Sequence, residues 1–297
     1  MEAYLGQIAA LGTACCWTVT AMAFESAGRR IGSLSVNFIR LVIALVLLTL
    51  FCWATRGKWL PLDASLHAWG WLAVSGLIGF TIGDLCLFRA FVIIGSRLSM
   101  LLMSLVPLFA ALTGWIVMGE RLAPVDWLGM ALTISGVSWV VLERTTDASG
   151  RPRAHPVSGI LLGIGGAFGQ ALGLVLSKFG MGSYDPFGAT QIRVIAGGIG
   201  FAVLFWVIRW WPRVRTALAD RGALARTGLG AFFGPFLGVS LSLLAVQNTQ
   251  AGVAATLMAL VPVIIIAPTV LIYRQRVSAR AIAGAVVAVA GSALLFL

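Results

Sequence analysis

Long apolar runs separated by short polar segments account for almost the whole chain. A membrane-spanning helix needs about 20 mostly apolar residues, and ten runs reach roughly that length. Backbone polar groups cannot stay unpaired in lipid, and the runs are too long and too continuously apolar for barrel strands, so each run predicts a helix. The ten predicted spans are residues 3–24, 35–55, 67–90, 97–118, 125–143, 157–178, 187–209, 226–247, 250–273 and 279–297.

One sequence unit occurs twice in the chain. The segment Met-Ser-Leu-Val-Pro at 103–107 recurs as Met-Ala-Leu-Val-Pro at 258–262 after a shift of 155 positions. A shift of 153 positions places Arg40 on Arg193 in the front part of each unit. Such a long internal period is the signature of a duplicated structural unit.

Each unit contains five predicted spans, and an odd number of helices inverts the second unit in the membrane. The predicted domains are a first repeat at 1–143, a linker at 144–156 and an inverted second repeat at 157–297. Inverted repeats build many secondary transporters, with the substrate site where the halves meet. The predicted fold class is therefore an all-α polytopic membrane protein, with ten transmembrane helices as two inverted five-helix repeats around a central cavity.

Composition and charge agree with a lipid environment. Hydrophobic residues make up 60% of the 297 residues and charged residues 10%, whereas a soluble domain carries about 25% charged residues. The mean hydropathy is +0.99. The net charge of +11 would suggest nucleic acid in a soluble protein. Here the arginines are scattered over short loops, so the predicted partners are the lipid bilayer and a small-molecule substrate, and not nucleic acid.

Basic residues are biased towards one side of the predicted membrane. The loops after spans 1, 3, 5, 7 and 9, with the adjoining span ends, hold 15 Lys and Arg residues, against 4 in the opposite loops. The positive-inside rule therefore places 144–156 and 210–225 in the cytoplasm, and both termini on the periplasmic face of the inner (plasma) membrane. The first run has no basic segment or cleavage site around it, which predicts a retained span and not a signal peptide.

The whole chain resembles the drug/metabolite transporter superfamily, in its ten-helix EamA-type branch. The resemblance is carried by the 5+5 duplication, by the Leu-Val-Pro before a glycine-spaced span in each half, and by the Gly-Glu-Arg turn at 119–121. It implies export of amino acids, other metabolites or toxic compounds, with the aromatic amino-acid exporter group as the nearest. The second half departs from the turn pattern, since Gln275 stands where Glu is expected. The resemblance also implies cytoplasmic termini, against the charge distribution, on which we base the orientation.

Motifs of enzymes and metal centres are missing from the sequence. There is no H-E-x-x-H, no G-x-S-x-G and no G-x-x-x-x-G-K-[ST], and the four cysteines lie inside apolar runs without C-x-x-C spacing. We therefore predict no enzyme activity, no cofactor and no metal. A lipid-modifying membrane enzyme and a receptor or scaffold remain the alternatives. The duplication favours a secondary transporter that exports small metabolites, amino acids first, by alternating access.

The predicted substrate cavity lies between the halves, near the membrane midplane. Thr13, Trp17 and Thr20 share one face of span 1, and Gln170 is the counterpart of Trp17 on span 6. Such faces either pack helices together or line a cavity. The paired prolines are either packing kinks or bends that shape the cavity. No fixed charge is predicted at its centre. The predicted wall residues are Thr13, Trp17, Thr20, Phe80, Thr81, Met103, Pro107, Gln170, Phe236, Ser240, Met258 and Pro262.

Three full charges fall inside the predicted spans. Arg40 lies near the start of span 2 and Asp84 near the end of span 3, which places both near the same face at similar depth. Intramembrane charges are costly and point to function by default. A structural ion pair and a proton or substrate site both fit this placement, and we predict that Arg40 and Asp84 pair. Arg193 lacks an equivalent partner, because Val239 stands where the second half would need an Asp.

Overall fold

The computed structural model describes residues 4–142, 156–264 and 279–295, and the regular structure in these ranges is helical, without strands. The first half comprises α1 (Leu5–Ile31), α2 (Ser33–Arg56), α3 (Leu66–Gly76), a π-helical segment π1 (Leu77–Gly83), α4 (Asp84–Met103), α5 (Val106–Met118) and α6 (Pro124–Leu142). The second half comprises α7 (Val157–Met181), α8 (Pro186–Val207), α9 (Trp211–Ala217), α10 (Arg221–Ala231), π2 (Phe232–Gly238), α11 (Val239–Asn248), α12 (Ala251–Met258), α13 (Val261–Ile264) and α14 (Ala279–Leu294).

Six continuous helical stretches are long and apolar enough to cross a membrane. Two shorter apolar helices, Val106–Met118 and Ile282–Leu294, accompany them. The helical membrane fold predicted from the apolar runs is thus confirmed, while the number of ten spans stays a prediction. The six stretches are Leu5–Ile31, Ser33–Arg56, Leu66–Ala90, Val157–Met181, Pro186–Val207 and Arg221–Asn248.

The two halves interlock through matching helix pairs. Helix α1 packs against α10, π2, α11 and α12 of the second half, and its counterpart α7 packs against α3, π1, α4 and α5 of the first. Helix α2 packs against α8, and α6 packs against α14. Each half therefore completes the packing of the other, as expected of an inverted repeat.

The contact between α6 and α14 depends on small residues that the repeat supplies twice. Gly129 and Gly291 face one another, and a Cβ atom on Gly129 would lie 2.9 Å from the carbonyl oxygen of Gly291. Thr133 Oγ1 of α6 donates a hydrogen bond to the carbonyl oxygen of Ala288 of α14 at 3.4 Å. In a membrane, where lipid is as apolar as the helices, such close backbone approach is a main source of helix association.

The predicted loop between spans 3 and 4 is helical. Helix α4 runs through residues 91–96, and the break comes later, at residues 104–105, directly before α5. The second half breaks at the equivalent place, at residues 259–260 between α12 and α13. Pro107 and Pro262 therefore stand in the first turn of a new helix, where a missing N–H costs nothing, and do not kink a continuous span as predicted.

Residues 210–225, which fall between predicted spans 7 and 8, contain α9 and the start of α10. Pro212 stands in the first turn of α9, and Val214 and Ala217 are buried, so this segment is held against the bundle. Most of the predicted linker 144–156, the end of span 9 and the second Arg-Gln-Arg turn at 274–276 lie outside the described residues.

Candidate functional site

Two π-helical segments stand at equivalent positions of the two halves. Asp84 N–H bonds to the carbonyl oxygen of Gly79, and Val239 N–H bonds to that of Gly234, each across five residues. A shift of 155 positions superposes the two bonds. A π segment widens one turn of a helix and is frequent at functional sites. The sequence analysis missed both segments, although the shared Gly-x-x-x-Gly spacing was a visible signal.

The polar faces predicted on spans 1 and 6 each pack on the π segment of the opposite half. On α7, a Cβ atom at Gly173 would lie 3.1 Å from the Cα of Gly79 in π1. On α1, Thr13 Oγ1 donates to the carbonyl oxygen of Gly238 in π2 at 3.3 Å, and the indole of Trp17 lies beside the same glycine. These faces therefore form the contact between the halves.

Gln170 and two charged residues form one buried network at this contact. Gln170 Nε2 donates to Asp84 Oδ1 at 2.7 Å and to the carbonyl oxygen of Gly79 at 3.3 Å. The Arg40 guanidinium donates to Asp84 Oδ2, so the predicted ion pair is present. Arg40 is 8% exposed and Asp84 5%. Gln170 of the predicted wall therefore bonds directly to a carboxylate, so charged groups adjoin the predicted wall.

Arg193 lies next to this network and carries a charge that the ion pair does not neutralise. Its guanidinium carbon lies 4.9 Å from the ring centre of Phe80, and Asp84 acts on it electrostatically without a hydrogen bond. Arg193 is 3% exposed and its Nε has no hydrogen-bond partner. The Nε of Arg40 also lacks a hydrogen-bond partner, but the Arg40 guanidinium pairs with the Asp84 carboxylate and lies 5.3 Å from the ring centre of Phe24. Two arginines and one aspartate leave the cluster with a net charge of +1.

Several other predicted wall residues contact neighbouring helices. Thr20 Oγ1 donates within α1 to the carbonyl oxygen of Cys16 at 3.0 Å, and the Thr20 side chain lies beside Gly234 of π2. Thr81 Oγ1 donates to the carbonyl oxygen of Gly197 on α8 at 3.3 Å. Ser240 Oγ donates to Thr190 Oγ1 on α8 at 3.2 Å.

The remaining predicted wall residues differ in burial. Phe236 and Met258 are buried, as is Pro107, while Met103 is half-buried. The side chain of Pro262 lies outside what the structure describes. Two shallow cavities, of about 480 and 390 Å³, lie among loop and helix-end residues, and none of the twelve predicted wall residues lines them.

A second polar network ties the halves together at the end of α5. Gly119, at φ +67°, ends α5 in the left-handed conformation that favours glycine. Glu120, which follows it, forms an ion pair with Lys178 of α7 and accepts the N–H of Ala251 at 3.0 Å. Lys178 Nζ also donates to the carbonyl oxygen of Thr249 at 2.6 Å. The turn noted in the sequence therefore links the second half's α7 and α12, which residue spacing alone did not reveal.

The loop between α2 and α3 makes a third link across the halves. Asp63 pairs with Arg56 at 2.6 Å and Lys58 at 3.0 Å, and accepts the Tyr184 hydroxyl at 3.0 Å. Burial raises the pKa of Asp63, but hydrogen bonds from Lys58 and Tyr184 outweigh it and hold the pKa below its ordinary value. Within residues 4–142, 156–264 and 279–295, no group of three or more His, Cys, Asp or Glu side chains is placed to hold a metal ion.

Comparison with known proteins decides the family. The sequence profile of the EamA-like transporter family matches residues 4–142 and again residues 157–297, one match for each half. The chain belongs to the EamA-like transporter family. This EamA-like chain is also similar to a protein of known crystal structure, with a TM-score of 0.75 and 18% sequence identity over 97% of this chain and 95% of the other. That similarity concerns the fold alone. None of the curated protein sequences matches the chain.

Proposed function

We propose that this EamA-like transporter exports small metabolites, amino acids first among them, across the inner membrane by alternating access. The two family matches assign membrane transport to the chain. The buried network of Arg40, Asp84, Gln170 and Arg193 is the observation that supports a polar substrate. It lies where α2 and π1–α4 of the first half meet α7 and α8 of the second, and substrate sites of inverted-repeat transporters lie at such a meeting.

The route would open by separation of the faces that are packed together here. Trp17 and Gln170, from α1 and α7, are half-buried and would become wall residues when the π segments part from the opposite half. Met103 and Met258 stand at the helix breaks before α5 and α13. Methionine and aromatic side chains adapt to ligands of different shape, which fits a transporter of broad selectivity.

Counterflow in proteoliposomes tests this proposal. Vesicles with the purified protein are loaded with one unlabelled compound and assayed for accumulation of its labelled form, across amino acids, a sugar and a nucleoside. We expect accumulation of amino acids, with aromatic ones among the fastest. Gln170→Ala and Trp17→Ala should change the rate or the substrate preference at unchanged expression, whereas Trp206→Ala, at an exposed position of α8, should change neither. Accumulation of no amino acid in wild-type vesicles would contradict the proposal.

A further inference from the structure

Arg193 is a buried cation that forms no ion pair with any residue that the structure describes. It stands seven residues inside α8, about 10 Å from the helix start, and is 3% exposed. Its Nε has no partner, and the described residues supply no ion pair to it. Burial of an isolated charge is strongly unfavourable unless the charge is paired. The Phe80 ring provides one cation–π contact, at 4.9 Å, which offsets only part of this cost.

The nearby carboxylate is already engaged. Both oxygens of Asp84 have partners, Oδ2 with Arg40 and Oδ1 with Gln170. In the second half, Val239 occupies the position equivalent to Asp84, and the described side chains supply no second acid to the cluster. The cluster is therefore complementary to one further negative charge. The Nε of Arg193 lacks a partner, and a guanidinium can bind a planar carboxylate through two parallel hydrogen bonds.

We propose that Arg193 binds the carboxylate of the transported solute. The proposal rests on the function proposed above and specifies its substrate as a carboxylate-bearing molecule. Gln170 and Arg40 each bond to one oxygen of the Asp84 carboxylate. Because both oxygens are occupied, Asp84 competes less with the solute for Arg193. The Phe80 ring supplies an apolar surface beside the guanidinium, on which an aromatic or aliphatic part of the solute can pack.

Direct binding to the purified full-length protein tests the assignment. The probes are L-phenylalanine, 3-phenylpropanoate, L-phenylalaninamide and phenethylamine, with inorganic phosphate and chloride as competitors. We expect the two carboxylates to bind about 10- to 100-fold more tightly than the amide and the amine, because hydrogen bonds to charged groups contribute that much. Equal affinity for the carboxylate and its amide, or full competition by the inorganic anions, would overturn a carboxylate site.

Variants locate the site. Arg193→Gln should remove the preference for carboxylates, and Arg193→Lys should retain part of it. Arg213→Gln, at an arginine of α9 that stacks on Trp210, should leave the preference unchanged. Arg40→Gln is a second test if Arg193→Gln does not fold. It frees Asp84 to pair with Arg193 and should weaken carboxylate binding at least about tenfold. Undiminished carboxylate preference in either folded variant would rule the assignment out.

The same experiments separate this inference from the proposed function. Transport of amino acids that is indifferent to the carboxylate and to Arg193 would leave the function standing and overturn the inference. If binding of simple carboxylates requires Arg193 but the protein accumulates no amino acid, the carboxylate site stands and the proposed function is overturned.

Discussion

Asp84→Asn should destabilise the protein more than Arg40→Gln, although both substitutions break the same ion pair. The buried cluster contains two arginines and one aspartate, so its net charge is +1. Asp84→Asn raises that charge by one and leaves two buried guanidinium groups without an acid. Arg40→Gln lowers it by one and leaves Asp84 with the Gln170 hydrogen bond and the attraction of Arg193. The double variant restores the original net charge.

The structure sets the expected magnitudes. Removal of one partner from a buried ion pair costs about 3–5 kcal/mol, and Asp84→Asn should reach this range because Asp84 is 5% exposed. Arg40→Gln should cost about 1.5–3 kcal/mol, the contribution of a charged hydrogen bond. At about 2 °C per kcal/mol for a chain of this size, Asp84→Asn should lower Tm by about 6–10 °C. The double variant should cost less than the sum of the single ones.

Thermal unfolding of the detergent-purified variants measures these differences, followed as loss of the monodisperse peak in size-exclusion chromatography. Asp63→Asn is the matched control, because it makes the same chemical change at a more exposed carboxylate between α2 and α3, where pairs contribute about 0–1 kcal/mol. Strict additivity of the two cluster substitutions, or an Asp84→Asn effect no larger than that of Asp63→Asn, would refute the reasoning.

Further expectations concern packing, the second ion pair and orientation. Gly173→Ala should lower Tm, because the new Cβ would meet the π1 backbone, while Gly198→Ala, with nothing within 4 Å, should leave Tm unchanged or raise it slightly. Lys178→Met should cost about 3–5 kcal/mol by leaving Glu120 unpaired, and the added change of Glu120 to Gln should recover most of the loss in the same melting assay. Single cysteines in 210–225 should resist an impermeant thiol reagent added to intact cells, and labelling from outside would reverse the proposed orientation.

Much of the fold followed from the sequence because lipid imposes a simple rule on the backbone. Apolar length predicted helices, and the 155-residue shift predicted that one half repeats the other. The Arg40–Asp84 pair was also predictable, since helix length fixes depth and two opposite charges at one depth attract. The sequence pattern could not distinguish side chains that pack between helices from side chains that would line a substrate cavity.

Other features could not be read from the pattern. A π segment inserts one residue per turn, which leaves hydropathy almost unchanged, so π1 and π2 appeared only in the structure. The Glu120–Lys178 pair joins residues 58 positions apart, and no local spacing predicts such a contact. The helix through residues 91–96 was missed because a Gly-Ser-Arg sequence reads as a loop, although tertiary packing on α7 overrides this weak local preference.

Alternating access requires the two halves to move relative to one another, and a cross-link between them tests that requirement most directly. Arg30 Nε and Asp220 Oδ2 lie 2.9 Å apart across the halves at an exposed position, so Arg30→Cys with Asp220→Cys, in a variant without the four native cysteines, can be joined by a short bismaleimide. Lys58→Cys with Asp63→Cys, within one half, is the control. Counterflow of labelled L-phenylalanine should stop in the cross-linked inter-half variant and continue in the control. Counterflow at the uncross-linked rate after complete inter-half cross-linking would contradict transport by relative movement of the halves.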